Sequence, residues 1–262
     1  ATASYTITVN PLPTATAGGT QIICSNETAT VTGASSLNGS ILWTENGAGN
    51  ITNGQGTLSP TYTAAIGDAG NTVTLTMTVS STYTPACTPA ATATYTIIVN
   101  PIPTASAGGS QIICSNSSAT VSGASSSNGT ILWTSNGAGA ITNATTLSPT
   151  YTANASDAGN IVTLTMTVTS SFTPACVSSA IATYTITVNP IPTATAGGVQ
   201  TICSNETATV SGASFSNGSI LWTENGAGNI TNGQGTVSPT YTAAPGDAGN
   251  TVVLTMTVTS SY

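Results

Sequence analysis

A four-residue motif, Asn-Pro-x-Pro, recurs at Asn10, Asn100 and Asn189 and marks the same point in three successive copies of one unit. The offsets are 90 and 89 residues. The missing residue falls in one loop, where Asn53-Gly54-Gln55-Gly56-Thr57 aligns with the shorter Asn143-Ala144-Thr145-Thr146. Residues 10–83 and 189–262 are identical at 63 of 74 aligned positions, so the outer copies resemble each other more than either resembles the middle one. A period of this size confines the chain to a row of like modules. No copy has diverged into a visibly specialised domain.

Within each copy the apolar residues recur every second position, the period of a strand with one buried face. Thr72–Val79 sets Val73, Leu75, Met77 and Val79 against threonines, and Tyr95, Ile97 and Val99 share one face of the run that follows. Gly-Ala-Ser-Ser, Asn-Gly, Asn-Gly-Gln-Gly and Gly-Asp-Ala-Gly punctuate these runs as turns. No ten-residue stretch has an apolar helical period. About seven short strands in roughly 90 residues predict an all-β fold: tandem immunoglobulin-like antiparallel β-sandwiches, stacked as a rod. The expected organisation is residues 10–99, 100–188 and 189–262, the third lacking its last strand. Residues 1–9 (ATASYTITV) match 91–99 (ATATYTIIV) and are expected to be the last strand of a preceding repeat. Either the chain is a window on a longer array, the favoured reading, or the first strand of one molecule completes the last sandwich of another.

Composition removes whole classes of function. The chain has no Lys, Arg or His and seven acidic residues, for a net charge of −7. It has no cation to neutralise a phosphate backbone, which excludes nucleic acid as a partner. Nor has it an imidazole base or a Schiff-base amine. Glu27 and Glu45 become Ser117 and Ser135 in the middle copy, so no carboxylate pair is common to all three and no enzyme or cofactor is expected. The apolar runs are only a few residues long, too short to span a membrane as a helix. Asp68, Asp157 and Asp247, one in each Gly/Ser-Asp-Ala-Gly turn, are expected to cap that turn through side-chain-to-backbone bonds, because a calcium site wants several carboxylates.

Trp43, Trp133 and Trp222 stand in Ile-Leu-Trp-Thr on the third strand. They could be sugar-stacking platforms, but a Trp in step with Ile41 is expected to plug the core. Each of the first two copies carries one Cys before its second strand and one after its long strand, 63 residues apart for Cys24 and Cys87 and 62 for Cys114 and Cys176. The expected bridges are therefore Cys24–Cys87 and Cys114–Cys176, with Cys203 unpaired in this window. Two Cys without His or CxxC spacing are too few for a metal, and a disulfide reading implies an oxidising, extracellular setting.

The runs Thr-Val-Asn-Pro-x-Pro-Thr-Ala, Ile-Cys-Ser-Asn, Ile-Leu-Trp-Thr, Ser-Pro-Thr-Tyr-Thr-Ala, Gly-Asp-Ala-Gly-Asn and Ala-Thr-Tyr-Thr-Ile-Thr-Val together resemble the PKD-like or Ig-like repeats of giant Bacteroidota cell-surface adhesins, including the flavobacterial gliding-motility type. The resemblance covers the whole chain. It implies secretion to the cell surface and a stalk or adhesive role. The expected function is thus a structural stalk or fibre segment whose partners are further copies of the repeat, head to tail. The alternatives are repeats that themselves grip glycans or surfaces, and a strand-exchanged filament subunit.

Overall fold

The threonine-rich strands with apolar alternate positions fold as their period dictates in the computed structural model, which describes residues 1–176 and 179–262. The first repeat forms β1 (Thr14–Thr16), β2 (Thr20–Cys24), β3 (Thr28–Thr30), β4 (Ser35–Leu37), β5 (Gly39–Glu45), β6 (Asn50–Asn53), β7 (Thr61–Thr63), β8 (Thr72–Ser81) and β9 (Ala91–Asn100). One sheet has the order β2-β9-β8-β5, the other β3-β7-β6, and β1 pairs with β4 as a short ribbon. The second repeat copies this topology strand for strand. The protein is all-β, with 48% strand and 3% helix, built as tandem immunoglobulin-like sandwiches. The helical residues are short 3₁₀ turns such as Ile66–Asp68.

Between the sheets Trp43, Tyr62, Leu75, Met77 and Ile97 are fully buried. Trp43 sits opposite Met77 across β5 and β8, and its indole N–H donates to the Thr57 carbonyl at 2.9 Å, so its polar atom is satisfied inside the core. Trp133 and Trp222 are buried in the same way and donate to Thr146 and Thr236.

One pairing departs from the antiparallel pattern and decides the layout of the cysteines. Strand β2 runs parallel to β9, with Thr20 opposite Thr96 and Cys24 opposite Asn100. Both strands therefore end at the same pole of the sandwich, where the chain leaves for the second repeat. Strand β8 runs antiparallel to β9, so the loop after Ser81, which carries Cys87, lies at the other pole. Ten residues of strand separate the poles by about 30 Å, whereas a disulfide needs Cα atoms within about 7 Å. The expected Cys24–Cys87 bridge cannot form, and Cys114–Cys176 fails for the same reason. Cys24 is bonded instead to Cys176, with the Cα atoms 5.7 Å apart. Cys87 and Cys114 are free thiols, as is Cys203.

Candidate functional site at the joint between repeats

The Cys24–Cys176 bond crosses from the exit pole of the first repeat to the entry pole of the second. Asn100 lies at the centre of this joint and is buried. Its carbonyl accepts the Ser25 N–H at 3.0 Å, and its side-chain amide donates to the Pro174 carbonyl of the second repeat at 3.4 Å. Cys176 Sγ lies 3.8 Å from the Asn100 carbonyl oxygen. Immediately after Asn100 the Pro101-Ile102-Pro103 segment narrows the backbone to extended conformations. Asn128, at φ 60°, anchors that segment by donating to the Ile102 carbonyl at 3.0 Å. Asn38 and Asn217 hold Leu12 and Ile191 in the same way.

The exit pole is braced by the Gly-Asp-Ala-Gly turn. Gly70 N–H donates to the Val99 carbonyl at 2.8 Å, and Val99 N–H donates to Asn71 at 3.0 Å, which fastens the turn to the end of β9. Buried Asp68 holds the turn together. One carboxylate oxygen accepts the Ala48 N–H at 2.6 Å; the other accepts the Tyr62 hydroxyl at 2.7 Å and the N–H groups of Ala65 and Gly49 at 2.9 and 3.0 Å. Four donors on one carboxylate leave it saturated as a turn cap. Burial pushes the Asp68 carboxyl up, but the bonds from Tyr62, Ala48, Ala65 and Gly49 outweigh it and hold the group below the usual carboxylate range. Asp157 is held down by the same balance. Asp247 is lowered by bonds from the Ala227 amide, the Tyr241 hydroxyl and the Ala244 amide. The tyrosines move the other way: burial, then the bond to Asp157, pushes Tyr151 up to about 12, and Tyr62 and Tyr241 are also raised.

Glycine is required where the Asn-Gly-Ala-Gly loop meets this cluster. A Cβ on Gly49 would collide with the Thr63 carbonyl oxygen, and one on Gly47 with the Tyr62 hydroxyl. The pairing of Tyr62 with Asp68 was not part of the sequence reading. The signal was present, since Tyr-Thr-Ala-Ala-x-Gly-Asp and its middle-copy variant keep Tyr six residues before Asp in every repeat.

Among the described residues the first sheet of the third repeat is two-stranded, against four strands in each of the other two repeats. Gly218–Glu224 pairs with Leu254–Ser260 and that sheet ends there. Residues 199–203 and 251–253 are strand in the equivalent positions of the other repeats but not here. In the first and second repeats the equivalents of both stretches are the neighbours of β9 and of its counterpart Ala180–Asn189. Between residues 199–203 and 251–253 lies an open groove of about 860 Å³ that reaches Trp222 and Tyr241. Residues 1–9 form no strand, and Tyr5, Ile7 and Val9 are 91%, 73% and 84% exposed.

The structure thus brings Cys24 and Cys176 together at the joint, separates each from its expected partner, and places the three tryptophans in the cores. Among the described residues no three Cys, Asp or Glu side chains cluster as metal ligands. No helix among them is long and apolar enough to cross a membrane.

No protein-family model matches the chain, and no curated protein matches it. Among solved structures, mouse cadherin-23 EC22-24 is similar over 93% of this chain and 93% of its own, at 12% identity and a TM-score of 0.49. Protocadherin gamma B7 extracellular cadherin domains 1-4 are similar over 96% of this chain and 77% of theirs, at 12% identity and a TM-score of 0.43. For Sidekick-1 immunoglobulin domains 1-4 the shares are 93% and 73%, with 12% identity and a TM-score of 0.31. The chain is similar to tandem cadherin and immunoglobulin domains.

Proposed function

We propose that this chain is a stalk or fibre segment of a long extracellular adhesin, of the kind its repeats resemble in giant Bacteroidota surface proteins. The observation that carries the reading is the Cys24–Cys176 bond. A covalent tie between successive repeats, close to a Pro-x-Pro connection, removes the hinge that tandem domains otherwise keep. Such a tie serves a segment that must hold its length and direction under load. It also suits an oxidising space outside the cell, where disulfides persist.

A catalytic role has little to work with. The three aspartates are occupied by backbone and tyrosine donors, and the four glutamates are not paired in all copies. A glycan-gripping role would need exposed aromatic platforms, and all three tryptophans are buried. We therefore read the repeats as non-catalytic spacers whose partners are their own neighbours.

The test is the stiffness of the chain in solution. With each repeat contributing about 30–40 Å along its strands, the oxidised chain should scatter X-rays as a rod on the order of 100 Å long. Cys24→Ser with Cys176→Ser should leave the sandwiches folded and broaden the distribution of end-to-end distances. A wild-type chain as flexible as that variant would refute the stalk reading.

A further inference from the structure

We infer that the Cys24–Cys176 bond is a load shunt: under tension it carries force past the bulk of both repeats and withholds the length stored in residues 25–175. The inference rests on the stalk reading and deepens it, by naming what the bond does when the stalk is pulled.

Two covalent routes join the first repeat to the second. One is the backbone, which leaves β9 at Asn100 and continues through Pro101-Ile102-Pro103. The other is the disulfide, whose cysteines are 152 positions apart in sequence but have Cα atoms 5.7 Å apart. A pull between Leu12 and Ile191, which stand in the first and third Asn-Pro-x-Pro motifs, meets both routes. Along the backbone alone these residues are 179 positions apart. Through the bond the path is 12 positions from Leu12 to Cys24 and 15 from Cys176 to Ile191. The short route becomes taut first and takes the load.

That route is already close to straight. Strand β2 runs toward the exit pole of the first repeat and ends at Cys24. Cys176 lies at the entry pole of the second repeat, and Ala180–Asn189 runs from there to its exit pole. With each repeat about 30–40 Å long, Leu12 and Ile191 stand about 60–80 Å apart in the folded chain, and the short route fully extended spans about 100 Å. The bonded pair of repeats therefore yields only about 20–40 Å before its covalent limit. Without the bond the same pull draws out the whole backbone route, to about 600 Å.

The ladders beside the route resist even the small gain. Thr20–Cys24 is in register with Thr96–Asn100, and Ala180–Asn189 lies between Ser110–Cys114 and Ile161–Ser170. Tension runs along these strands, across their inter-strand hydrogen bonds, so the bonds of a ladder are loaded together instead of one after another. The bridge is also shielded. Cys24 and Cys176 are each 4% exposed, so a thiol in solution reaches the sulfurs only after the joint opens.

The test is single-molecule stretching of the full chain, tethered through azide-bearing residues placed at the exposed positions Leu12 and Ile191. The oxidised chain should lengthen by about 20–40 Å and then stop. Cys24→Ser with Cys176→Ser should lengthen in two steps of about 250 Å, one per repeat, and regain its native length on relaxation, which shows that the variant folds. The wild-type tether answers the same question without a substitution. Held at constant force, it should gain about 500 Å when dithiothreitol is added, the dithiol being oxidised to its cyclic disulfide as Cys24 and Cys176 become thiols. Cys114→Ser should behave as the wild type. An oxidised chain that lengthens by more than about 100 Å, or a reduced one that gains nothing over it, would overturn the inference. Neither result bears on the stiffness of the unloaded rod, so a failed shunt leaves the stalk reading in place, and a flexible rod in scattering would remove that reading without altering these lengths.

Discussion

Replacing Asp68 by Asn tests whether the braced turn is a structural keystone of the exit pole. The two side chains have nearly the same shape, so the change is one of hydrogen-bond chemistry. Asp68 accepts one N–H on Oδ1 and three donors on Oδ2, all from within the first repeat. An amide has one oxygen. Placed at Oδ2, it turns its NH₂ toward the Ala48 N–H, which lies 2.6 Å from Oδ1 in the native chain. One charge-assisted bond is lost, worth about 1.5–3 kcal/mol, and a donor in a confined site is left facing another donor, at about 1–3 kcal/mol. Because the two costs overlap, the net loss should be about 3 kcal/mol, a large share of one domain's stability. For a domain of this size that corresponds to a fall of roughly 12–24 °C in its thermal midpoint. Differential scanning calorimetry of the full chain should show one transition moved down and the others in place. Asp247 of the third repeat is only half-buried, so Asp247→Asn should have the smaller effect. A loss below about 1 kcal/mol for Asp68→Asn would refute the argument, since that is the size of an ordinary exposed turn cap.

Acid should act on the same groups. The carboxyls of Asp68, Asp157 and Asp247 lie below their unfolded values, so their contribution is fully present above about pH 4 and is lost as pH falls through the folded values; acid titration followed by tryptophan fluorescence should show unfolding there and none between pH 6 and 8. Alkali should act on Tyr62 and Tyr151 with the opposite sign. Their raised values mean stability present below about pH 10 and lost as pH rises through the folded value, about 12 for Tyr151, and absorbance at the tyrosinate band should track the loss of fold. Gly49→Ala places a methyl group against the Thr63 carbonyl and should cost on the order of 1–3 kcal/mol by overpacking, read as a lower urea midpoint at unchanged slope. Peptide mapping without reduction should recover Cys24 joined to Cys176; recovery of Cys24 joined to Cys87 would show that β2 does not run parallel to β9.

The strands were legible because their signal is local. A period of two written in Thr, Val, Leu and Met is repeated three times, and Thr72–Val79 needs no distant partner to declare which face is apolar. The turn cap was legible only in its local part, the Ala65 N–H three residues before Asp68; the Ala48 and Gly49 N–H groups reach the same carboxylate from 20 and 19 residues away. Residues 1–9 match β9 in sequence, yet they form no strand in the structure and Tyr5, Ile7 and Val9 are exposed.

The cysteine connectivity was not legible, and the reason is directional. Equal spacing of Cys24 to Cys87 and of Cys114 to Cys176 invites a bridge within each repeat. Spacing records the length of chain between two residues; it carries no record of which pole each one reaches. That depends on β2 choosing a parallel place beside β9 instead of an antiparallel one, a choice made by backbone pairing between segments more than 70 residues apart. The amino-acid order by itself determined that the chain would be a row of threonine-faced sandwiches with tryptophan cores. Only the tertiary structure decided that its disulfide would span two of them, because a covalent bond forms between residues that meet in space, and the parallel strand carries Cys24 to the pole where the next repeat begins.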